Sequence, residues 1–452
     1  LLGNLDYEVN PDGSTTNYNY DELNRLTSLV EYRADAITPE NFTDNPKLSQ
    51  YNYTLRADGR KDFADERVFA DNGTTLVSHT TFDWSYDNAS RLTDEVFTDV
   101  GNLLADVDNY HTSFEYDLTG NRLTQTTITD DDGIAGFNAA TDSDKVTTYS
   151  HDANDRMTSE STVVDGAATE STTYGYTGTQ QTSKNVSPAS GFPLSAVSFS
   201  YDLQGRMSQA TTETFNAGTL ASRNRSTMEY GTDGIRFHAT TETDTVLSLT
   251  TENWQLTSDT KYLIDSQNHT GSQQVLEEAI TDANGNLVKK IAYTIGHDHI
   301  SQTTFVPSPP SGGEGQGEGA LTATTAVFHM DGHGSTRILT ELAGAILNAA
   351  GFAQVYHYTA YGEAINFPMA NAATQYLYSG EQFDAGIGQQ YLRARYYDQA
   401  NGTFNRLDPF SGNLTNPQSF HKYLYTHADP VTGIDPTGRE FSLSGLIGSM
   451  AL

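Results

Sequence analysis

Two Asp-Pro steps, Asp408-Pro409 and Asp435-Pro436, are the residues of this chain best equipped for chemistry. Two carboxylates held close together share a proton, so that one serves as base and the other as acid. The same dipeptide also has a purely structural use. Its aspartate caps a turn through a side-chain oxygen while proline fixes the next backbone angle. A second constellation, His297-Asp298-His299, puts two imidazoles on one face if the segment is a strand. A metal site needs further ligands, and none follows nearby, so no metal and no cofactor are expected. His333, in Asp-Gly-His-Gly, reads as a turn residue, and no Gly-Xaa-Ser-Xaa-Gly elbow pairs with a base.

The elements that must position these aspartates are strands. In Tyr391 to Asp398 and again from Gly402 to Pro409, aromatic, arginine and acidic residues alternate too regularly for a loop. The pattern reads as strand, glycine turn, strand. Related blocks are Asp331 to Arg337, Tyr361-Gly362-Glu363, His421 to Tyr425 and Asp435 to Gly438. Arg337, Arg393 and Arg395 are expected to pair with carboxylates, since the guanidinium fork suits such pairing in an aromatic interior.

The N-terminal half is a repeat array. Tyr-Asp followed by Arg-Leu or Arg-Met recurs at Tyr20-Asp21 with Arg25, Tyr86-Asp87 with Arg91, Tyr116-Asp117 with Arg122, and Tyr201-Asp202 with Arg206. Weaker copies stand at Tyr53, His151-Asp152, Tyr176 and Tyr230, and successive copies lie 25 to 35 residues apart. That period signals stacked supersecondary units. Each reads as a β-hairpin, with alternating residues broken by a polar turn and with threonine-rich runs that favour strands. A lone hairpin is marginal and needs neighbours.

Composition agrees. Hydrophobic residues are 36% of the chain, yet it holds 26 Tyr and 20 Phe. Aromatic ladders must therefore supply much of the burial. The 25 basic and 58 acidic residues give a net charge of −33, which repels nucleic acid and anionic lipid. Absence of cysteine excludes disulfides and thiolate chemistry. Residues 307–320, rich in Pro, Gly and Ser, read as a flexible surface insertion. No secretion signal is visible, and Leu1-Leu2-Gly3-Asn4 reads as mid-repeat, so a longer parent is expected.

The blocks from Tyr262-Leu263-Ile264-Asp265 through Gly334-Ser335-Thr336-Arg337, Tyr378-Ser379-Gly380-Glu381 and Tyr391 to Asp398 closely resemble, in order, the RHS repeat-associated core domain. The upstream array resembles YD repeats. This resemblance implies a hollow β shell closed at one end by the core, as in bacterial polymorphic toxins, toxin-complex C subunits and teneurins. It also implies an aspartyl self-protease that cuts just after Asp-Pro-Xaa-Gly, here near Gly438, with Asp408 and Asp435 as its pair. Two departures stand against that: Arg439 replaces the usual Leu, and Phe410-Ser411-Gly412 replaces Ile-Gly-Leu.

The sequence thus predicts an all-β fold in which antiparallel YD-repeat hairpins coil into a spiral sheet or hollow shell closed by the core block. The expected divisions are 1–260 for the repeat array, 261–438 for the core, and 439–452 for the start of a variable C-terminal region. The leading functional expectation is the structural shell of a secreted bacterial toxin, enclosing or presenting a C-terminal effector. The competing one is a cell-surface adhesion or carbohydrate-binding protein. Expected partners are the chain's own effector domain or a companion shell subunit, then glycans or a surface receptor. Nucleic acid is not expected, nor is membrane insertion, since the tail falls short of the roughly 20 residues a span needs. No activity on an external substrate is expected.

Overall fold

The turn is the unit from which this fold is built, as the computed structural model of residues 4–34, 45–102, 108–130, 137, 141–268, 270–308, 321–439 and 441–443 makes plain. At Asp21 one carboxylate oxygen accepts the N–H groups of Leu23 and Arg25 at 2.9 and 3.0 Å, and the other takes Arg25 Nε at 2.7 Å. Asp87 with Arg91, Asp152 with Arg156, and Asp202 with Arg206 repeat the arrangement. The aspartate thereby satisfies backbone donors that a five-residue turn leaves bare.

The arginine then reaches the next repeat. Arg25, Arg91 and Arg206 each donate from Nη1 to a carbonyl of the following turn, at Arg56, Asp117 and Gly231. Tyrosine returns the bond: the hydroxyls of Tyr86, Tyr116 and Tyr230 donate back to the carbonyls of Lys61, Leu92 and Met207. Arg91 also lies 4.8 Å from the Tyr116 ring centre and Arg206 4.9 Å from that of Tyr230, a cation–π contact. Between the Tyr86 and Tyr116 repeats, and between those of Tyr201 and Tyr230, the hairpins are thus stitched in both directions.

One repeat departs from this geometry. Arg122 is not the partner of Asp117; Asn121, four residues after the aspartate, takes that place with a 2.9 Å bond. Arg122 is buried instead, 4.8 Å from the Phe114 ring and 4.2 Å from that of Tyr361. Spacing from the aspartate, not residue type, defines the position.

Twenty-three strands, from Tyr7–Val9 to Thr336–Glu341, form one sheet in which each pairs antiparallel with the next. Strand makes up 57% and helix 4% of the described residues, among which the sheet does not close into a barrel. A register shift recurs immediately before the repeat tyrosine, at Ser85/Tyr86, Glu115/Tyr116 and Ser200/Tyr201. Such a bulge increases local twist, so every repeat bends the sheet further. Trp254–Asp265 runs across residue 260, and the strands after it extend the same sheet. Of the expected 307–320 insertion, residues 309–320 lie outside the described residues; Pro307 pairs with Leu321 at its base.

Beyond Glu341 the regular meander stops. Residues 342–438 contribute short strands and turns, chiefly a four-stranded sheet of Gln382–Asp384, Gln389–Leu392, Arg395–Asp398 and Thr403–Phe404. This plug touches the large sheet all along its course. His357 meets Ser78 at 3.0 Å, Tyr361 meets Tyr116 at 2.9 Å, Asp398 meets Lys184 at 2.7 Å, Tyr396 meets Arg236 at 2.9 Å, and Ala373 meets Gln302 at 2.8 Å. The sheet is wound around it. Tyr356, Tyr396, Tyr397, Tyr425 and Phe404 are fully buried at this interface, as the aromatic composition leads one to expect. The tyrosine hydroxyls find partners, as when Tyr397 donates to the Tyr361 carbonyl at 2.9 Å.

The winding brings the first strands against the last ones through side chains. His329 lies 3.6 Å from Asp12 and 3.3 Å from Glu31, with all three side chains shut off from solvent. Arg337 forks onto Glu66 and also reaches Asp331 at 2.9 Å. Burial favours neutral imidazole in His329, but the two carboxylates outweigh it and raise its pKa to about 9.

Candidate functional site

The hairpin that joins Gln389–Leu392 to Arg395–Asp398 turns at Arg393, whose φ of 58° lies in the left-handed region. It delivers Arg395 into the plug, where the guanidinium is 2% exposed. Asp408 approaches from the loop after Thr403–Phe404 and Asp435 from the turn after Gly433–Ile434. Arg395 Nη2 lies 3.0 Å from Asp408 Oδ2 and 3.2 Å from Asp435 Oδ2. The two aspartates singled out in the sequence therefore sit within two hydrogen-bond lengths of each other, bridged by one cation.

Both also cap turns. Asp408 Oδ1 accepts the Phe410 N–H at 2.8 Å, and Asp435 Oδ1 accepts the Arg439 N–H at 2.9 Å. Each carboxylate spends one oxygen on the backbone and the other on Arg395. Burial raises the pKa of Asp408, while Arg395 opposes that shift.

The peptide bond between Gly438 and Arg439 is held at both ends. Arg395 Nε donates to the Gly438 carbonyl oxygen at 2.5 Å, and the nitrogen on the other side of the bond is the one bound to Asp435. Gly438 has φ of 65°, and a Cβ there would come within 2.3 Å of the Leu392 carbonyl oxygen. Only glycine fits so close an approach in that conformation. A cavity of about 220 Å³, lined in part by Arg395, Asp408, Asp435, Arg439 and Phe441, opens beside the bond. It has room for water. The chemistry this arrangement permits is hydrolysis: a donor polarises the carbonyl, and carboxylates stand ready to move protons.

The other sequence candidates fall elsewhere. His299 opens the strand His299–Pro307, but His297 lies in the preceding turn, so the two do not share a strand face. His299 is buried and stacked on Tyr376, with ring centres 3.9 Å apart. Among the described residues no group of three or more His, Asp or Glu is placed to hold a metal ion. His333 is a buried turn residue whose Nε2 lies 3.1 Å from the Gly433 carbonyl. Arg393 pairs with Glu381 at 2.8 Å. Sequence reasoning grouped Arg395 with these paired arginines and missed that its partners are the two aspartates. Their 27-residue separation gave no local sign of it.

No family model matches the chain. The tRNA nuclease WapA of Bacillus subtilis (strain 168) is 30% identical over 113 residues, which are 25% of this chain and 5% of that protein. The tRNA3(Ser)-specific nuclease WapA of Bacillus spizizenii is 31% identical over a match of the same extent. Salivary gland surface protein 1 of Aedes aegypti is 32% identical over 112 residues, 24% of this chain and 3% of that protein. The matches thus span about a twentieth or less of these relatives. Among solved structures, TcdB2-TccC3-TEV aligns with 96% of this chain and 21% of its own, at TM-score 0.45 and 15% identity. TcdB2-TccC3 without its hypervariable C-terminal region aligns with 94% and 20%, at TM-score 0.44 and 14% identity. No described helix is long and apolar enough to cross a membrane.

Proposed function

We propose that this chain is the β-shell scaffold of a secreted bacterial RHS-type toxin, and that its plug cuts the chain's own backbone between Gly438 and Arg439. The scaffold encloses or presents a C-terminal effector, which the cut frees from the shell. The observation that carries this reading is the Gly438–Arg439 peptide itself, with Arg395 on its carbonyl oxygen, Asp435 on its nitrogen and Asp408 on the same guanidinium. Water adds to the Gly438 carbonyl carbon as Asp408 takes one of its protons. The C–N bond breaks, and the proton passes through the aspartate pair to the departing nitrogen. The products are a carboxylate on Gly438 and an amine on Arg439. The partial matches to the WapA proteins, whose names describe nuclease activity on tRNA, support the reading of a shell that carries an effector.

The test is N-terminal sequencing of purified chain after incubation from mildly acid to neutral pH. A new terminus beginning at Arg439 is expected, and it should be absent from Asp435→Asn. Because Asp408 must be ionised to take that proton, and burial raises its pKa, the rate should climb as pH rises through it. A wild-type chain that stays whole throughout would remove the self-processing reading. Specific retention on a glycan array by that uncut chain would favour the adhesion reading instead.

A further inference from the structure

We propose that Phe441 is a positioning residue that clamps the backbone on the Arg439 side of the bond, an inference that rests on the self-processing reading. Arg395 fixes the Gly438 side. A bond held at one end only would swing, and sub-ångström placement governs such intramolecular chemistry.

The clamp has three parts. Gly433–Ile434 pairs antiparallel with Ser442–Leu443, with Ile434 opposite Ser442, so the chain doubles back immediately after the bond. The Phe441 ring stacks on His427, with centres 5.0 Å apart and planes inclined by 24°. The ring also lies against Gly433, where an added Cβ would come within 2.2 Å of Cε2, 2.8 Å of Cδ2 and 2.9 Å of the Asp429 carbonyl oxygen. Gly433 does not adopt a left-handed backbone. Its missing side chain serves the ring.

The presentation of His427 supports the same conclusion. Thr426, His427 and Ala428 have φ of 43°, 56° and 62°, three successive residues with side chains in the left-handed region. For a β-branched threonine that conformation is a genuine outlier, and such strain persists only where surrounding structure over-determines it. Thr426 and Ala428 are buried, and the Asp429 N–H donates to the Thr426 carbonyl at 3.0 Å. The strained turn sets the imidazole as one jaw, and Gly433 clears the space for the other. Phe441 touches neither the reacting carbonyl nor the aspartates' protons in this scheme. Its effect passes through the Arg439 nitrogen that it steadies against Asp435.

The experiment measures self-cleavage rates of the full chain and of Phe441→Ala, Phe441→Tyr, Gly433→Ala and the Gly433→Ala/Phe441→Ala double variant. Phe441→Ala should slow the cut by about tenfold or more, with melting temperature and pH profile unchanged, while Phe441→Tyr restores it. Gly433→Ala should slow the cut much more when Phe441 is present than when it is absent, because its closest collisions are with the ring and only the one with the Asp429 carbonyl oxygen remains without it. Wild-type cleavage by Phe441→Ala, or multiplicative effects in the double variant, would overturn the clamp and leave the self-processing reading intact. If the wild-type chain does not cut at all, the self-processing reading fails by itself. Hydrogen exchange over 438–443 then decides the clamp: faster exchange in Phe441→Ala supports it, and unchanged exchange overturns it.

Discussion

The repeats and the plug are made from the same three residue types, Tyr, Asp and Arg, and use them in opposite ways. In the repeats, aspartate and arginine stand four residues apart at the rim, where Arg206 and Asp202 keep 20% and 23% of their side-chain surface. In the plug, Arg395 is 2% exposed and collects Asp408 and Asp435, exposed by 10% and 4%, from distant turns. A rim pair is local, screened and replaceable. A buried arginine with two carboxylates is costly to assemble and perturbs everything it touches. Identical chemistry thus stitches the wall in one place and forms a candidate reaction centre in the other.

The sharpest way to break this contrast is at the junction of wall and plug. Arg337 binds Glu66 of the wall and the Tyr356 carbonyl of the plug. Burial alone would raise the Glu66 pKa, but Arg337 and His357 hold it down near 2. Arg337→Met should cost about 3–5 kcal/mol in urea denaturation, since it strands a buried carboxylate. A loss near that of a surface pair, under about 1 kcal/mol, would mean that wall and plug are not coupled there.

Glu95 comes next. Burial raises its pKa to about 7, against hydrogen bonds from Trp84, Tyr110 and the Ala360 N–H. A carboxyl whose folded pKa exceeds its unfolded one stabilises the fold at low pH and loses that advantage as pH rises between the two values. Stability from this group should therefore decline from about pH 4.5 to 7 and stay flat above. Glu95→Gln keeps an acceptor for Trp84 and Ala360, and by pH 8 should gain about 3 kcal/mol on wild type relative to pH 4.5. Parallel pH curves for the two proteins would refute the assignment.

His329 has the opposite sign. Its raised pKa makes stability fullest below about 6.5 and lost as pH climbs through 9. Thermal melts of His329→Gln should lack that alkaline decline. If the decline survives, the contact between first and last strands does not depend on the imidazolium.

These regions were not equally legible in the sequence. The repeat turns could be read because Asp, its backbone partners and Arg lie within five residues, so spacing alone defines the geometry. At Asp117 residue type alone would mislead, since the turn counts four from the aspartate and finds Asn121 where the other repeats have arginine. The winding of the sheet around residues 342–438 depends on contacts between residues far apart in sequence, such as Tyr116 with Tyr361. No local pattern announces them. For the candidate site, Asp408 and Asp435 stood out through their prolines, but the role of Arg395 emerged only once three turns were brought together. Phe441 gave no sign at all, since its partners are a lone histidine and a glycine.

The smallest effects belong to the rim. Asp202→Ala removes one turn's acceptors and should cost about 1 kcal/mol, measured by denaturant midpoint. Adding Asp87→Ala should double the loss, because the two turns share no partner. A double variant much worse than the sum would show that the stitches act together along the wall.

The central claim, that chemistry resides in the plug while the same residues in the wall only hold it, is tested most directly by time-resolved intact mass spectrometry. The proteins to compare are wild type, Asp202→Asn and Asp408→Asn. The first two should split after Gly438 at similar rates, although Asp202→Asn is less stable, and Asp408→Asn should remain a single mass. Cleavage of Asp408→Asn at the wild-type rate, or equal loss of cleavage in both variants, would contradict the account.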